Sequence, residues 1–153
     1  METDELEDLY GETILDHCRN PRNHLPLEDA DIVADGVNRF CGDEIHIQVK
    51  LDDDGHIAGV GLQSVGCSIN QAAGSMLAEV IHGQSLDRAE SVSDSLRTMM
   101  ERGTTNDSNP LPGDLLSLSG VRQFPVRIKC ALLAWSTLEE AVARHRRDHA
   151  DPW

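Results

Sequence analysis

Three cysteines and one aspartate of this chain stand at predicted junctions between secondary-structure elements. Cys41 and Asp43 flank Gly42 just before a predicted strand, Cys67 precedes the central helix, and Cys130 lies in the first turn of the last helix. A helix N-terminus carries partial positive charge, which favours a thiolate over a thiol. Thiolate is the form that binds metals and attacks sulfur. These positions therefore favour metal binding or thiol chemistry.

The spacing of these residues does not by itself identify a metal site. The sequence has no pair of C-x-x-C motifs of the zinc-finger kind, so the ligands would have to come from distant segments. Gly42 allows a tight bend, by which Cys41 and Asp43 can reach one ion. A shared site and ordinary buried cysteines both remain open on this pattern. Should the ion be Zn²⁺, three thiolates and one carboxylate would fill its tetrahedral shell.

A zinc shell of three thiolates and one carboxylate carries net negative charge, which is costly to enclose without a nearby cation. Arg127 lies three residues before Cys130, on the same helical face. We expect Arg127 to compensate this charge and to steady Cys41 when its sulfur leaves the metal. The alternative is an ordinary surface arginine in the first turn of a helix.

The fourth cysteine and the histidines indicate no second site. Cys18 falls on or beside the apolar stripe of the first helix, which favours a buried, inert thiol. His17, near the end of that helix, is interpreted as a structural histidine. His46 lies on the polar face of a predicted strand and His56 follows a turn, so both are expected in solvent.

Length and composition restrict the class of protein. The chain has 153 residues, of which 39% are hydrophobic and 26% charged, and this predicts one globular domain over 1–153. A net charge of −14 makes nucleic-acid and membrane-surface binding unfavourable. The acidic N-terminus does not resemble a secretory signal, and no apolar run approaches the ~20 residues of a membrane span. A cytoplasmic location is expected, where cysteines are more often ligands than disulfides.

The strand pattern is clearest in the middle of the first half. Apolar and polar residues alternate over 45–51, and 57–65 forms the antiparallel partner across a turn at 52–55. A weaker strand candidate precedes them at 32–38. The sequence therefore predicts a hairpin with one additional strand.

Helices are predicted where apolar residues recur every three or four positions. Asn20-Pro21 ends the first of them because proline lacks an amide donor. Ser68 and Gln71 have the spacing of a capping box for the central helix. The loop of residues 103–113 leads to a short apolar turn at Leu115–Leu118. The predicted helices are 6–18, Ser68 to Gly83, Ser85 to about Met100 with a break near Ser93-Asp94, and a last helix after Pro125, with 144–153 as a frayed tail.

Four motifs in order resemble the U-type iron–sulfur cluster assembly family. They are Asp16-His17-Cys18-Arg19-Asn20-Pro21-Arg22-Asn23, Cys41-Gly42-Asp43, Gly66-Cys67-Ser68-Ile69 and Phe124-Pro125-Val126-Arg127-Ile128-Lys129-Cys130-Ala131. The resemblance runs from near residue 9 to near residue 142. It implies an α+β, SufE/NifU-like fold, in which helices pack on one face of a three-stranded antiparallel sheet.

Within this family the chain resembles the SufU type, the zinc-dependent sulfurtransferase branch. The scaffold branch has a histidine where this chain has Lys129, and the SufU type has an extra segment that residues 94–118 supply. The resemblance implies Cys41, Asp43, Cys67 and Cys130 as zinc ligands, with Cys41 accepting persulfide sulfur. It implies a SufS-type cysteine desulfurase as partner and a SufBCD-type scaffold or a small thiol downstream. The alternative is a scaffold that carries an iron–sulfur cluster on the same ligands.

Overall fold

The structure is a computed structural model that describes residues 11–22, 26–39, 42–103 and 110–148. Three strands are followed by a helical second half, and a short helix precedes them. In chain order the elements are α1 (Glu12–Arg19), β1 (Ile32–Asn38), β2 (Asp43–Leu51), β3 (Ile57–Val65), α2 (Ser68–Ile81), α3 (Leu86–Arg102), a 3₁₀ helix (Leu115–Gln123) and α4 (Pro125–Asp148).

The three strands form one antiparallel sheet in the order β1-β2-β3. Because side chains alternate between the two faces of a strand, every second residue of β1 and β2 faces inward, and all of these except the half-buried Gly36 and Leu51 are buried. Ala34 pairs with Ile47, which in turn pairs with Leu62, so the apolar face is continuous across the sheet. The hairpin and the weaker strand at 32–38 are both confirmed.

Helices cover the apolar face of the sheet. α4 packs against β1 and β2, α2 packs against β3 and α4, and α1 packs on α2. The low aromatic content leaves the core to aliphatic side chains, with Trp135 of α4 as its largest fully buried member. The fold is thus α+β, as the resemblance implies. None of the helices in the described ranges is long and apolar enough to cross a bilayer.

Three helices differ from the sequence prediction, two at their start and one in its continuity. Gly11, with φ 90°, precedes α1, so the predicted helix over 6–18 is not continuous; residues 6–10 lie outside the described ranges. The cap of α2 is Cys67 rather than Ser68, because the Cys67 sulfur accepts from the Asn70 amide. α3 runs without the break predicted near Ser93-Asp94.

Two predicted helix starts agree with the structure. Ser85 caps α3, its hydroxyl accepting from the amide of Arg88. Pro125 is the first residue of α4, a position where its missing amide costs nothing. α4 continues to Asp148, into the segment that we expect to fray after residue 143. The N-terminal ends of α2 and α4 matter most for the candidate site, because they carry Cys67 and Cys130.

Candidate metal centre

Asp43 is placed by the turn that joins β1 to β2. Its partner across the sheet is Asn38, the last residue of β1, so residues 39–42 make the connection. Gly42 has φ 69°, the left-handed conformation that glycine adopts without a steric penalty, and it turns the chain into β2. The Asp43 side chain points inward and is fully buried. Cys41 lies outside the described residues.

Cys67 is placed by the junction of β3 and α2. Its amide donates to Asp43 Oδ1 at 2.8 Å, and its sulfur lies 3.7 Å from Asp43 Oδ2. The sulfur also accepts from the Asn70 amide at 3.5 Å, in the position of a helix cap. Gly66 has φ 130°, and a Cβ there would overlap Asp43 Oδ1. The close approach of this turn to Asp43 therefore requires glycine.

Cys130 enters the same region from the first turns of α4. It is fully buried, and its sulfur lies 3.9 Å from Asn38 Nδ2 and 4.0 Å from the carbonyl oxygen of Val126. α4 can approach β1 closely because Gly36 faces Thr137, where a Cβ would overlap the threonine hydroxyl. The first turns of α4 are thereby held over the end of the sheet that carries Asp43.

Asp43, Cys67 and Cys130 together form what we call the sulfur site. Their ligand atoms all lie within 4.8 Å of one another, a spacing that one ion can bridge. Within the described ranges, no cationic side chain pairs with the buried Asp43 carboxylate. Buried charges are normally paired or bound to metal. Two sulfurs and one carboxylate fit zinc, whose tetrahedral shell has room for one more protein ligand.

The other predicted residues are placed as follows. Arg127 is half-buried one turn before Cys130 on α4, and Lys129 is exposed beside it. Cys18 is half-buried on α1, and its thiol donates to the carbonyl oxygen of Ser68 at 3.0 Å. Burial raises the pKa of the Cys18 thiol to about 11, although the hydrogen bond to Ser68 acts in the opposite direction. Such a thiol is almost entirely protonated at neutral pH, as expected for an inert cysteine.

Two asparagines at the sulfur site were not identified by the sequence analysis. Asn70 is fully buried and its Nδ2 donates to the carbonyl oxygens of Glu44 and Val65, which ties α2 to the sheet. Asn38 is buried at the end of β1. The alternation of β1 could have identified Asn38, because it is a polar residue at a position whose side chain should face the core.

A second polar group lies at the C-terminal end of α1, and we call it the anchor cluster. It consists of His17, Arg22, Ser75, Glu79 and Asp114. His17 is fully buried, with Nδ1 2.8 Å from Ser75 Oγ and Nε2 2.8 Å from Asp114 Oδ2. A carboxylate only accepts, so Nε2 donates to Asp114. The Arg22 amide donates to Ser75 Oγ at 2.9 Å, and the Arg22 side chain pairs with Glu79. The cluster joins α1, α2 and the start of the 3₁₀ helix.

Comparison with known proteins identifies the family. Residues 9–151 match the NifU-like N-terminal domain. The chain belongs to this NifU-like family. A crystal structure of FiSufU, from Fervidobacterium islandicum AW-1, matches with a TM-score of 0.81 at 32% identity and covers 89% of this chain and 98% of its own. The U-type resemblance of the sequence motifs and the predicted fold are both confirmed.

Relatives of this NifU-like chain have two kinds of name. The zinc-dependent sulfurtransferase SufU of Bacillus subtilis (strain 168) is 42% identical over 139 residues, which are 91% of this chain and 92% of the relative. The iron–sulfur cluster assembly scaffold protein IscU of Streptococcus pyogenes serotype M1 is 35% identical over 144 residues, covering 94% of this chain and 89% of the relative. The chain is thus a cluster-assembly protein of the SufU/IscU type.

Proposed function

We propose that this NifU-like protein is a zinc-dependent sulfurtransferase of the cytoplasm. It would accept persulfide sulfur from a SufS-type cysteine desulfurase and pass it on for iron–sulfur cluster assembly. The observation that supports this most is the sulfur site, where Asp43, Cys67 and Cys130 place their ligand atoms within 4.8 Å of one another. The 42% identity to a zinc-dependent sulfurtransferase points to the same function.

The proposal makes Cys41 the fourth ligand and the sulfur acceptor. Cys41 is two residues from Asp43, so chain geometry limits the separation of their Cα atoms to about 7 Å. When bound, zinc would hold the cysteines as thiolates and keep their sulfur nucleophilic at neutral pH. The single carboxylate ligand, Asp43, makes the shell more exchangeable than one of four cysteines.

Transfer follows the chemistry of thiol–disulfide exchange. The Cys41 thiolate attacks the outer sulfur of the desulfurase persulfide, and the sulfur–sulfur bond of that persulfide breaks. The desulfurase cysteine leaves as a thiolate, while Cys41 becomes the new persulfide. Arg127, one turn before Cys130, would balance the charge of the site and steady the Cys41 thiolate. A SufBCD-type scaffold or a small thiol then takes the sulfur.

A scaffold function is the second candidate, and the identities of 35% and 34% to two IscU scaffold proteins favour it. Sulfur-rich sites suit zinc and iron–sulfur clusters alike. Lys129, where scaffold proteins have a histidine, favours transfer. Metal analysis and a visible spectrum of protein purified without air separate the two. Colourless protein with one tightly held zinc supports transfer, whereas brown protein with bound iron and sulfide supports the scaffold.

The role of Cys41 is tested with a SufS-type desulfurase, cysteine and a thiol reductant. Cys41→Ala should abolish the stimulation of desulfurase turnover and the persulfide detected on this chain by mass spectrometry. Cys18→Ala is the matched control, because Cys18 donates to the Ser68 carbonyl outside the ligand set; it should behave as wild type. Folded Cys41→Ala protein that still stimulates the desulfurase contradicts the proposed acceptor.

A further inference from the structure

Each described sulfur of the sulfur site faces an N–H donor, but the donors differ in kind. For Cys67 the donor is a backbone amide of its own helix, that of Asn70 at 3.5 Å. For Cys130 it is a side chain from another element, Asn38 Nδ2 at 3.9 Å. A backbone donor accompanies any residue at that position, whereas a side-chain donor depends on the residue type. Asn38 is therefore the donor that substitution can test.

Three features of the fold hold Asn38 against Cys130. The alternation of β1 turns Asn38 inward, where it is 9% exposed. Its pairing with Asp43 across the sheet fixes the end of β1 beside a candidate ligand. Gly36 lies two residues before Asn38 on the same face of β1 and leaves room for Thr137 of α4. α4 therefore lies close enough for Cys130 to reach Asn38. The sheet and α4 thus position both partners.

The chemistry of this contact is that of a neutral donor beside an anionic ligand. An amide N–H directed at a thiolate stabilises its negative charge and orients its lone pairs, without adding a charge of its own. It also reduces the electron density available for attack on an electrophile, so the sulfur binds the metal but reacts slowly. Full burial of Cys130 acts in the same direction, because reagents cannot approach it.

We propose that Asn38 is a positioning residue that keeps Cys130 on the metal while another sulfur leaves. This inference rests on the proposed zinc-dependent transfer and adds a division of labour to it: Cys130 is the retained ligand, and Cys41 is the sulfur that is released. This division predicts different reactivities for the individual cysteines, and these can be measured without a desulfurase.

The test compares zinc-loaded wild type with Asn38→Leu, which keeps the side-chain size and removes the donor. Zinc affinity is measured by competition with a chromogenic chelator, and iodoacetamide labelling of each cysteine is followed by mass spectrometry. Loss of an outer hydrogen bond to a ligand should lower zinc affinity by about 10-fold or more. Cys130 should gain labelling relative to Cys67, which keeps its backbone donor. The matched control is Val37→Thr, a neighbouring residue that is 55% exposed on the opposite face.

The outcomes separate this role from general damage and from the proposed function itself. Equal gains in labelling at Cys67 and Cys130 indicate a loosened fold and overturn the specific role of Asn38. Should Asn38→Leu fail to fold, Asn38→Ala, which leaves room for water, takes its place with the same ratio as readout. Unchanged affinity and labelling order overturn the inference but leave zinc-dependent transfer intact. Wild-type protein that binds no zinc overturns both.

Discussion

The sulfur site and the anchor cluster each bring together three residues of types that can bind a metal, but the two sets differ in how far their polar groups are already paired. In the anchor cluster both ring nitrogens of His17 have partners, and Arg22 pairs with Glu79. In the sulfur site the buried Asp43 carboxylate receives the Cys67 amide but no described cation. Both sets are compact enough to hold an ion by distance alone.

A short distance between ligand atoms is therefore necessary for a metal site but does not by itself separate such a site from a structural cluster. The anchor cluster already contains its own cation, the Arg22 guanidinium, and an ion between His17 and Asp114 would have to replace a 2.8 Å hydrogen bond. The sulfur site has soft ligands, and among the described residues no cation forms an ion pair with its buried carboxylate, which suits a metal ion. This difference supports the proposal that the sulfur site is the one that binds a metal, and it is consistent with a structural role for the anchor cluster.

The largest effect should be on metal content. Cys67→Ser replaces a soft ligand of the sulfur site with a poor one, so the purified protein should lose its zinc to a chelator that leaves wild type loaded. His17→Asn should keep the metal, because His17 lies outside the proposed ligand set. Metal analysis of both variants after the same dialysis provides the measurement. Zinc retained in Cys67→Ser and lost in His17→Asn would reverse the two assignments.

The next effect concerns the turn that brings Cys67 to Asp43. Gly66→Ala should cost stability through its left-handed φ of 130° and also displace the Asp43 carboxylate, because the new Cβ overlaps Oδ1. The strain alone is worth about 1–3 kcal/mol. Gly55→Ala is the matched control, with φ 82° but open space around the Cβ. Both should unfold at lower urea concentration, and only Gly66→Ala should also bind zinc more weakly.

The sequence was sufficient to predict elements whose pattern depends on their own residues. The hairpin, the helix start at Pro125 and the cap at Ser85 are local properties. The sequence predicts the cap of α2 at Ser68, one residue after the observed cap at Cys67, because serine is a usual capping residue and a cysteine sulfur is not. What joins Asn38 to Cys130 is the packing of α4 on β1, and no local pattern contains that distance.

The contacts within the anchor cluster also depend on tertiary packing, which local sequence patterns do not show. His17 could be interpreted as structural from its place at the end of a helix, but its partner Asp114 is far along the chain, next to a loop of weak pattern. Ser75 lies inside α2 and is fully buried, although serines are mostly exposed, so its type gave no sign of its burial. Only the docking of α1 on α2 and on the 3₁₀ helix brings the three together. The sequence shows which polar residues are present in the anchor cluster, but it does not show which of them form hydrogen bonds with one another.

Substitutions in the anchor cluster should have a moderate effect on stability and no effect on zinc binding. His17→Ala removes one buried and one part-buried hydrogen bond and leaves a cavity beside Ser75, which should lower the free energy of unfolding by about 2–4 kcal/mol. Asp114→Asn should cost less, because its side chain is 43% exposed and an amide can still accept from Nε2. Urea unfolding measures both, and zinc affinity should stay at the wild-type value. A variant that loses stability and zinc together would mean that the two regions are coupled.

The smallest effect should come from the exposed edge of the anchor cluster. The hydrogen bond from Arg22 lowers the pKa of the Asp16 carboxyl below its ordinary value. Folding therefore favours the ionised form, and the contribution is complete above the unfolded pKa of about 4 and lost as the pH falls through the lower folded pKa. Wild type and Asp16→Asn should differ slightly in urea stability at neutral pH and converge in acid. A difference that grows as the pH falls would show that Asp16 acts through something other than its charge, since protonation removes the charge that Arg22 recognises.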